Sequence, residues 1–150
     1  MFALVNVGLH DGLQTSFTSK FVYGLWRPVT AIRRADEDLN PATAADATWL
    51  PLLTTPPYPS YAGNAACLSA AAARAHQLVF GRDDIAFSIT WTRTGLPPVT
   101  RDFTGFWDLA DKQARSRIHG GIHYQFDTDA SQAACVKVPE FALSRFMRPR

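Results

Sequence analysis

Two cations seven residues apart are the first sign of chemistry in this chain. They are Lys20 and Arg27, and Pro28 follows directly. On a single helix this spacing rotates the second residue by about 700° and advances it by about 10 Å, so both project from nearly the same side. Two cations placed in this way can bind an anion between them. A pair of solvated charges on an amphipathic helix is the ordinary alternative.

A proline-rich loop leads to the second candidate, the pair Gly63 and Asn64. An alanine-dense helix is predicted to follow it over residues 65–80. The free N–H groups and the dipole at a helix N-terminus favour an anion. Gly-Asn is equally a common way to enter a helix, with Asn64 as the N-cap. The pair taken alone leaves both interpretations open.

The third candidate surrounds two consecutive glycines, Gly120 and Gly121. Arg117 is expected in the last turn of a helix before them, and His123 is presented after the break. If the following segment is helical, Asp127 can bond a nearby group or cap that helix. A lone histidine is more often a satisfied core residue than a catalyst, but a histidine paired with an arginine across a glycine hinge favours a functional site.

A mainly α domain must position these segments. The apolar spacing predicts a first helix over 3–23, with an apolar face of Leu4, Val7, Leu9, Leu13, Phe17 and Phe21. The other predicted elements are a short helix over 29–35, an irregular stretch over 36–61, the helix over 65–80, a β excursion over 86–100, a helix over 105–118 capped by Asp102 or Thr104, and a last helix over 129–146 kinked at Pro139.

The composition excludes several classes of protein. With 150 residues, 47% hydrophobic and 19% charged, the chain is no disordered tail. A net charge of +2 does not support binding of nucleic acid, and no apolar run reaches the ~20 residues that span a bilayer. Cys67 and Cys135 make neither a disulfide framework nor a zinc site. They can pair only if their helices are neighbours in an oxidising compartment.

In this order, the three segments resemble the motifs of the vanadium-dependent haloperoxidases and the related type 2 phosphatidic-acid phosphatases. The motif Lys-x6-Arg-Pro is complete as Lys20, Arg27 and Pro28, and the motif Ser-Arg-x5-His is complete as Ser116, Arg117 and His123. The run over 56–64 is similar to the middle motif, Pro-Ser-Gly-His. The run Trp-Arg-Pro-Val-Thr-Ala-Ile over 26–32 resembles the haloperoxidase branch more than the lipid phosphatases.

The resemblance implies a helical bundle around a site for a tetrahedral oxyanion, vanadate or its isostere phosphate. It implies that Lys20, Arg27 and Arg117 bond the equatorial oxygens and that Gly63 adds a backbone N–H. His123 would bond vanadium axially, or attack phosphorus in a phosphatase. Asp127 would orient that imidazole. The site residues implied to be catalytic are Lys20, Arg27, Asn64, Arg117, His123 and Asp127.

The implied activity is oxidation of halide by hydrogen peroxide. Acid phosphatase-like cleavage of a phosphoester through a phosphohistidine at His123 is the alternative. A non-catalytic oxyanion-binding relative is the third reading, because Asn64 stands where the family has its acid–base histidine and Ala62 where it has a serine. The possible substitutes for that histidine are His10, His76 and His119.

The resemblance covers only the C-terminal half of the family's usual length. Residues 1–150 are therefore expected to form one haloperoxidase-like domain or the C-terminal part of one, without the N-terminal helices. Those helices, or a second copy in a homo-oligomer, would cover the apolar stripe of the first helix. Relatives are often exported, yet no signal peptide is recognisable, so the sequence predicts no location.

Overall fold

Six α-helices and one β-hairpin make up residues 1–146, the part of the chain that the computed structural model describes. The elements in chain order are α1 (Phe2–Tyr23), α2 (Pro28–Arg33), a 3-10 turn (Ala35–Glu37), α3 (Asn64–Phe80), β1 (Phe87–Arg93), β2 (Leu96–Phe103), α4 (Phe106–His119), α5 (Gln125–Cys135) and α6 (Lys137–Arg145). β1 and β2 pair antiparallel, with Phe87 opposite Phe103. The fold is the mainly α bundle that the sequence predicts.

Helix α3 lies at the centre of the bundle and packs against α1, α4, α5 and α6. Its buried residues are small: Ala66, Cys67, Ala70, Ala71, Ala73 and Ala75. Short side chains allow neighbouring helix backbones to approach closely, which is why an alanine-dense helix suits this position. It ends at Gly81, which adopts a left-handed conformation with φ of 70°.

The face that α1 buries is not its predicted apolar stripe. The buried residues of α1 are Leu4, Gly8, Gly12, Ser16 and Lys20, a row with four-residue spacing that packs on α3 and α6. The Cβ of an alanine at position 12 would lie 3.4 Å from the Cβ of Ala71, so the helices meet through small residues. The stripe is partly exposed, with Phe21 at 73%. The expectation that further helices or a second copy cover this stripe stays a prediction.

Lys20 and Arg27 do not share a helix, so the prediction that they project from one helical face is wrong. α1 ends at Gly24, which has a positive φ of 58° and whose N–H bonds the carbonyl of Lys20. Arg27 is the extended N-cap residue of α2, and Pro28 begins that helix. A proline disfavours helical conformation in the residue before it, which explains the break.

Residues 38–63 form no helix or strand, as predicted, yet backbone hydrogen bonds hold this loop against the bundle. The N–H of Ser60 donates to the carbonyl of Leu25 at 2.8 Å, and the N–H of Leu53 donates to the carbonyl of Gly120 at 3.0 Å. The loop is thereby tied both to the start of α2 and to the end of α4. These are the two places from which Arg27 and His123 extend.

The predicted cap of α4 is wrong. The N-cap is Gly105, not Asp102 or Thr104, and the N–H of Trp107 in the first turn donates to Oδ1 of Asp83 at 3.0 Å. Asp108, in the first turn, instead accepts a hydrogen bond from the N–H of Thr104 at 3.0 Å. A carboxylate in the first turn also interacts favourably with the helix dipole.

The predicted last helix is two helices. α5 begins at Gln125, four residues before the predicted start, and ends at Cys135; Val136 separates it from α6. Pro139 lies in the first turn of α6, where its missing N–H costs no hydrogen bond, so it does not kink a continuous helix. The earlier start places Asp127 in the first turn of α5.

Cys67 and Cys135 are joined in a disulfide between α3 and α5, with their Cα atoms 5.1 Å apart. The sequence left this pairing open, because it depends on which helices are neighbours. Cys67 lies one helical turn after Gly63, so the crosslink anchors the start of α3 close to α5. No helix within residues 1–146 is long and apolar enough to cross a membrane.

Candidate active site

His123 is the centre of a buried polar cluster and is itself only 7% exposed. It lies between α4 and α5, after a turn in which Gly121 adopts a φ of 73°. Its Nε2 is 2.9 Å from Nη1 of Arg27. Its Nδ1 is 3.1 Å from both carboxylate oxygens of Asp127. These contacts bring together residues from the first and third sequence motifs.

The partners of the imidazole define its tautomer. A carboxylate accepts, so Nδ1 carries the proton, and Nε2 presents its lone pair to the guanidinium of Arg27. Burial lowers the pKa of His123 and outweighs the raising effect of Asp127, while the charges of Arg27 and Lys20 lower it further. At neutral pH the group is therefore a neutral imidazole, with an unprotonated Nε2.

Asp127 is fully buried in the first turn of α5. Burial raises the pKa of Asp127, but hydrogen bonds from His123, Ser60 and Thr128 outweigh that effect and hold the pKa below its usual value. The positive end of the α5 dipole favours the charged form as well. Asp127 is thus an ionised acceptor that can orient the imidazole.

Ser60 belongs to this cluster although sequence reasoning did not select it as a site residue. Its hydroxyl donates to Oδ2 of Asp127 and lies 3.3 Å from Nδ1 of His123. Ser60 is fully buried. It follows a proline within the middle motif, which was the one available signal. The partners of its hydroxyl lie more than sixty residues away along the chain, beyond the reach of local spacing.

The guanidinium of Arg27 is 5% exposed and is only partly satisfied. Nε donates to the carbonyl of Tyr58 at 2.9 Å, and Nη1 donates to the carbonyl of Ile122 at 2.7 Å. Nη2 is buried and has no hydrogen-bond partner among residues 1–146. Burial lowers the pKa of Arg27, although the group stays charged. A charged donor therefore stands unpaired beside His123.

Lys20 is a fully buried cation at the end of α1. Nζ donates to the carbonyls of Pro59 and Ser60 at 3.0 and 2.9 Å, and lies 5.0 Å from the centroid of the Tyr58 ring. An ammonium carries three hydrogens, so one remains after these two bonds. Burial and the nearby charge of Arg27 lower the pKa of Lys20 to about 8.

Gly63 packs directly against the imidazole. A Cβ at this position would lie 3.1 Å from Cε1 of His123, so a larger residue would require the ring to shift by a few tenths of an ångström. Its N–H, which the family resemblance assigns to an oxyanion, donates here to Oγ of Ser131 at 2.7 Å. Ser131 lies one turn after Asp127 on α5 and was not selected from the sequence.

Asn64 is the first residue of α3, and its N-cap is Gly63, so the reading of Asn64 as the cap is wrong. Its Oδ1 lies 2.5 Å from Oγ of Ser16, which is also 2.9 Å from the carbonyl of Ala62. The residue that stands for the family's acid–base histidine is therefore tied to the buried face of α1. An amide does not exchange a proton near neutral pH.

The three substitute histidines lie elsewhere in the structure. His10 is exposed and bonds Asp11, and His76 bonds the carbonyl of Ala72 and stacks on Phe106. His119 is exposed at the end of α4. None of the described hydrogen bonds joins these imidazoles to His123.

Arg117 lies in the last turn of α4, as predicted, and is half-buried. Its carbonyl accepts the N–H of Ile122 at 3.1 Å, which closes the turn that presents His123. Its Nε donates to Oγ of the adjacent Ser116 at 3.0 Å. Within residues 1–146, its side chain makes no hydrogen bond to His123, Asp127 or Ser60.

Comparison with known proteins finds a family model and solved structures that match this chain. The model of the VCPO second helical-bundle domain matches residues 1–150. A bacterial vanadium-dependent iodoperoxidase is 30% identical, with a TM-score of 0.75 over 94% of this chain and 32% of its own. The apo form of a bacterial vanadium-dependent chloroperoxidase is 19% identical, with a TM-score of 0.74 over 93% of this chain and 34% of its own. Because the chloroperoxidase is only 19% identical, its similarity supports the fold alone.

The chain spans about a third of the length of these solved structures. A search of curated proteins finds no match. The family model covers every residue of the chain, and the motif residues Arg27 and His123 meet in its folded form. On this evidence the chain belongs to the vanadium haloperoxidase family, as its second helical-bundle domain.

Proposed function

We propose that this chain carries the oxyanion-binding part of a vanadate-dependent haloperoxidase, which oxidises halide with hydrogen peroxide. The observation that carries the proposal is the buried Nη2 of Arg27, which lacks a hydrogen-bond partner among the described residues and belongs to the group that contacts His123. A buried charged donor without an acceptor is costly. An oxyanion beside His123 would satisfy it, and the solved relatives are vanadium-dependent enzymes.

The available donors suit a tetrahedral oxyanion. Arg27 has two free hydrogens on Nη2, and Lys20 has one on Nζ after its two carbonyl bonds. Arg117 would complete the set of three cations, as the motif implies. Gly63 would contribute its N–H only by giving up the hydrogen bond to Ser131. Phosphate has the same shape and is the isosteric alternative.

His123 would bind the central atom of the oxyanion through Nε2. The neutral tautomer leaves the lone pair on that atom. Nδ1 donates to Asp127, and the hydroxyl of Ser60 donates to the same carboxylate, so the ring orientation is fixed from that side. Nη1 of Arg27 occupies the lone pair of Nε2, so binding requires that this hydrogen bond be exchanged for one to an oxygen of the ligand. Vanadate, when bound, supplies a Lewis acid that activates peroxide toward halide.

A non-catalytic oxyanion-binding domain is the second candidate, and Asn64 is the observation that favours it. General acid–base catalysis is typically worth ~10²–10⁴-fold. Asn64 cannot supply it, and none of the described hydrogen bonds brings His10, His76 or His119 to His123. A phosphohistidine hydrolase would use the same Nε2 as its nucleophile, and it would also lack the acid–base group.

The test begins with binding and continues with turnover. Orthovanadate is titrated calorimetrically into the chain, into His123→Ala and into the matched control His76→Ala. We expect saturable binding that His123→Ala weakens at least tenfold and that His76→Ala leaves unchanged. Peroxide, bromide and a phenolic dye then report bromination, and an aryl phosphate reports hydrolysis.

Each result assigns the site differently. Bromination that depends on vanadate and on His123 supports the haloperoxidase. If the chain hydrolyses an aryl phosphate, vanadate inhibits that hydrolysis and no bromination is seen, the haloperoxidase proposal is rejected in favour of the hydrolase. Binding without either reaction supports the non-catalytic domain. Absence of vanadate and phosphate binding overturns the oxyanion site itself.

A further inference from the structure

We propose that Tyr58 is a positioning residue of the oxyanion site, and that its aromatic ring holds the side chains of Lys20 and Arg27 together where the oxyanion would bind. Nζ of Lys20 lies 5.0 Å from the centroid of this ring, and Cζ of Arg27 lies 5.2 Å from it. Sequence reasoning did not select Tyr58 as a site residue. The inference rests on the proposed oxyanion function and adds the residue that keeps two like charges side by side in the free protein.

The two cations have no carboxylate to bring them together. Neither Lys20 nor Arg27 forms an ion pair with an aspartate or glutamate of residues 1–146. Nζ of Lys20 donates to two backbone carbonyls, and the guanidinium of Arg27 donates to two others and contacts His123. Two buried positive charges repel each other more strongly than two charges in water do. Another group must therefore hold them in place.

Tyr58 is the one residue that contacts both cations through the hydrogen bonds and ring contacts of residues 1–146. Its carbonyl accepts a hydrogen bond from Nε of Arg27 at 2.9 Å, and its ring lies within reach of both charges. A cation within about 6 Å of an aromatic centroid is attracted by the ring quadrupole, and the attraction is stronger when the cation is removed from water. Lys20 is fully buried and Arg27 is nearly so.

The ring of Tyr58 is itself held in place. The ring of Phe17 meets it edge-on, with the two centroids 5.4 Å apart and an angle of 64° between the planes. The N–H of Tyr58 donates to the carbonyl of Pro56 at 2.9 Å, and the prolines on either side restrict the backbone. Phe17 lies on α1 about one turn before Lys20. The helix that carries one of the cations therefore also fixes the ring.

An aromatic ring suits this position better than a carboxylate does. A carboxylate would accept hydrogen bonds from both cations and would compete with an incoming oxyanion for the same hydrogens. A ring attracts the positive charge without supplying an acceptor oxygen, so the donors stay available. Nη2 of Arg27, which is buried without a hydrogen-bond partner among residues 1–146, is one such donor. Tyr58 can thus hold the cations together and leave their hydrogens to the ligand.

The test compares two variants of Tyr58 by calorimetric titration of orthovanadate. Tyr58→Leu removes the ring and should weaken vanadate binding about 5- to 10-fold. Tyr58→Phe keeps the ring and should bind vanadate as the wild type does. Tyr23→Leu is the matched control, because it removes a tyrosine ring that is 68% exposed and contacts Tyr61 instead of the cations. It should leave the affinity unchanged.

NMR of the free protein gives a second readout, which does not depend on vanadate. The ring current of Tyr58 should shift the ε-protons of Lys20 and the δ-protons of Arg27 upfield, in the wild type and in Tyr58→Phe. In Tyr58→Leu, ¹⁵N relaxation should show that the ammonium of Lys20 has become more mobile. A purely structural role of Tyr58 would not restore these signals selectively in the phenylalanine variant.

The outcomes separate this inference from the oxyanion function. Unshifted protons of Lys20 and Arg27 in the wild type overturn the inference, even if Tyr58→Leu does not fold. Wild-type affinity in Tyr58→Leu overturns it as well, and so does a Tyr58→Phe as weak as Tyr58→Leu. If the wild type binds no vanadate, the oxyanion function fails, and the mobility of Lys20 in Tyr58→Leu alone decides whether the ring holds the cation.

Discussion

Nε2 of His123 and Nη1 of Arg27 lie 2.9 Å apart, although 96 positions separate the two residues in the chain. Arg27 reaches this point from the N-cap of α2, and His123 reaches it from the turn before α5. Neither position is inside a helix. Because both residues are buried, a change in either partner should alter the electrostatics of the whole cluster.

Replacing Asp127 with asparagine should weaken the site through His123. The carboxylate raises the pKa of His123, so Asp127→Asn should lower that pKa further. Loss of a group that orients a metal-binding histidine typically costs 10–100-fold in affinity, and we expect a vanadate affinity reduced by about that factor. NMR titration of the His123 Cε1 proton gives the pKa, and calorimetry gives the affinity.

The control for Asp127→Asn is Asp129→Asn on the same helix, where the carboxylate is exposed and bonds Gln125. It should leave both quantities unchanged. An unchanged His123 pKa in Asp127→Asn would contradict the assigned hydrogen bond.

Oxyanion affinity should fall as the pH rises, and the fall should begin at a lower pH than it would with a lysine of ordinary pKa. The pKa of Lys20 is lowered from 10.5 to about 8, so its charge is lost above that pH in the free protein. Sulfate, whose charge is constant over this range, is the probe. Lys20→Arg keeps the charge and should hold sulfate affinity level up to pH 10. Identical profiles for the two proteins would rule out Lys20 as the titrating group.

The same shift of the Lys20 pKa has a defined effect on stability. The folded state loses the Lys20 proton near pH 8, whereas the unfolded state keeps it until about 10.5. The unfolded state therefore binds more protons between these values, and the contribution of Lys20 to the free energy of unfolding rises with pH there. Urea denaturation at pH 8 and pH 10 measures the change, with Lys20→Arg as the reference.

Introducing the missing acid–base group should raise activity. Asn64→His supplies an imidazole at the start of α3, and we expect a gain on the order of 10²-fold in bromination or aryl phosphate hydrolysis. Ser16, which lies 2.5 Å from Oδ1 of Asn64, would meet the new ring, so the double variant with Ser16→Ala tests whether that contact limits the gain. Vanadate binding with no gain in either variant would show that proton transfer is not what is missing.

The disulfide between Cys67 and Cys135 should contribute substantially to stability. It closes a loop with a sequence separation of 68, for which the chain-entropy model gives about 4 kcal/mol. The double variant Cys67→Ala/Cys135→Ala should lose a similar free energy of unfolding in urea. Oxidised wild-type protein is the reference, and reduced wild-type protein should match the variant. Equal stability of all three would contradict a native crosslink.

Local sequence determines much of the secondary structure. The alanine-rich composition of α3, the glycine after it and the glycines after α4 predict where those helices form and end, because propensity and capping act over a few residues. The β excursion is also found, as a hairpin over 87–103. The errors at Gly105 and Val136 concern caps and breaks, where neighbouring residues compete to satisfy the same backbone groups.

The ordered motifs were enough to predict the family, and with it the cluster formed by Lys20, Arg27, His123 and Asp127. The role of Ser60, the engagement of Gly63 by Ser131 and the disulfide depend on which elements become neighbours. Those contacts join residues from distant parts of the chain. Packing of α1 and α5 against α3 decides them, since hydrogen bonds and burial act across space and leave no regular spacing in the sequence.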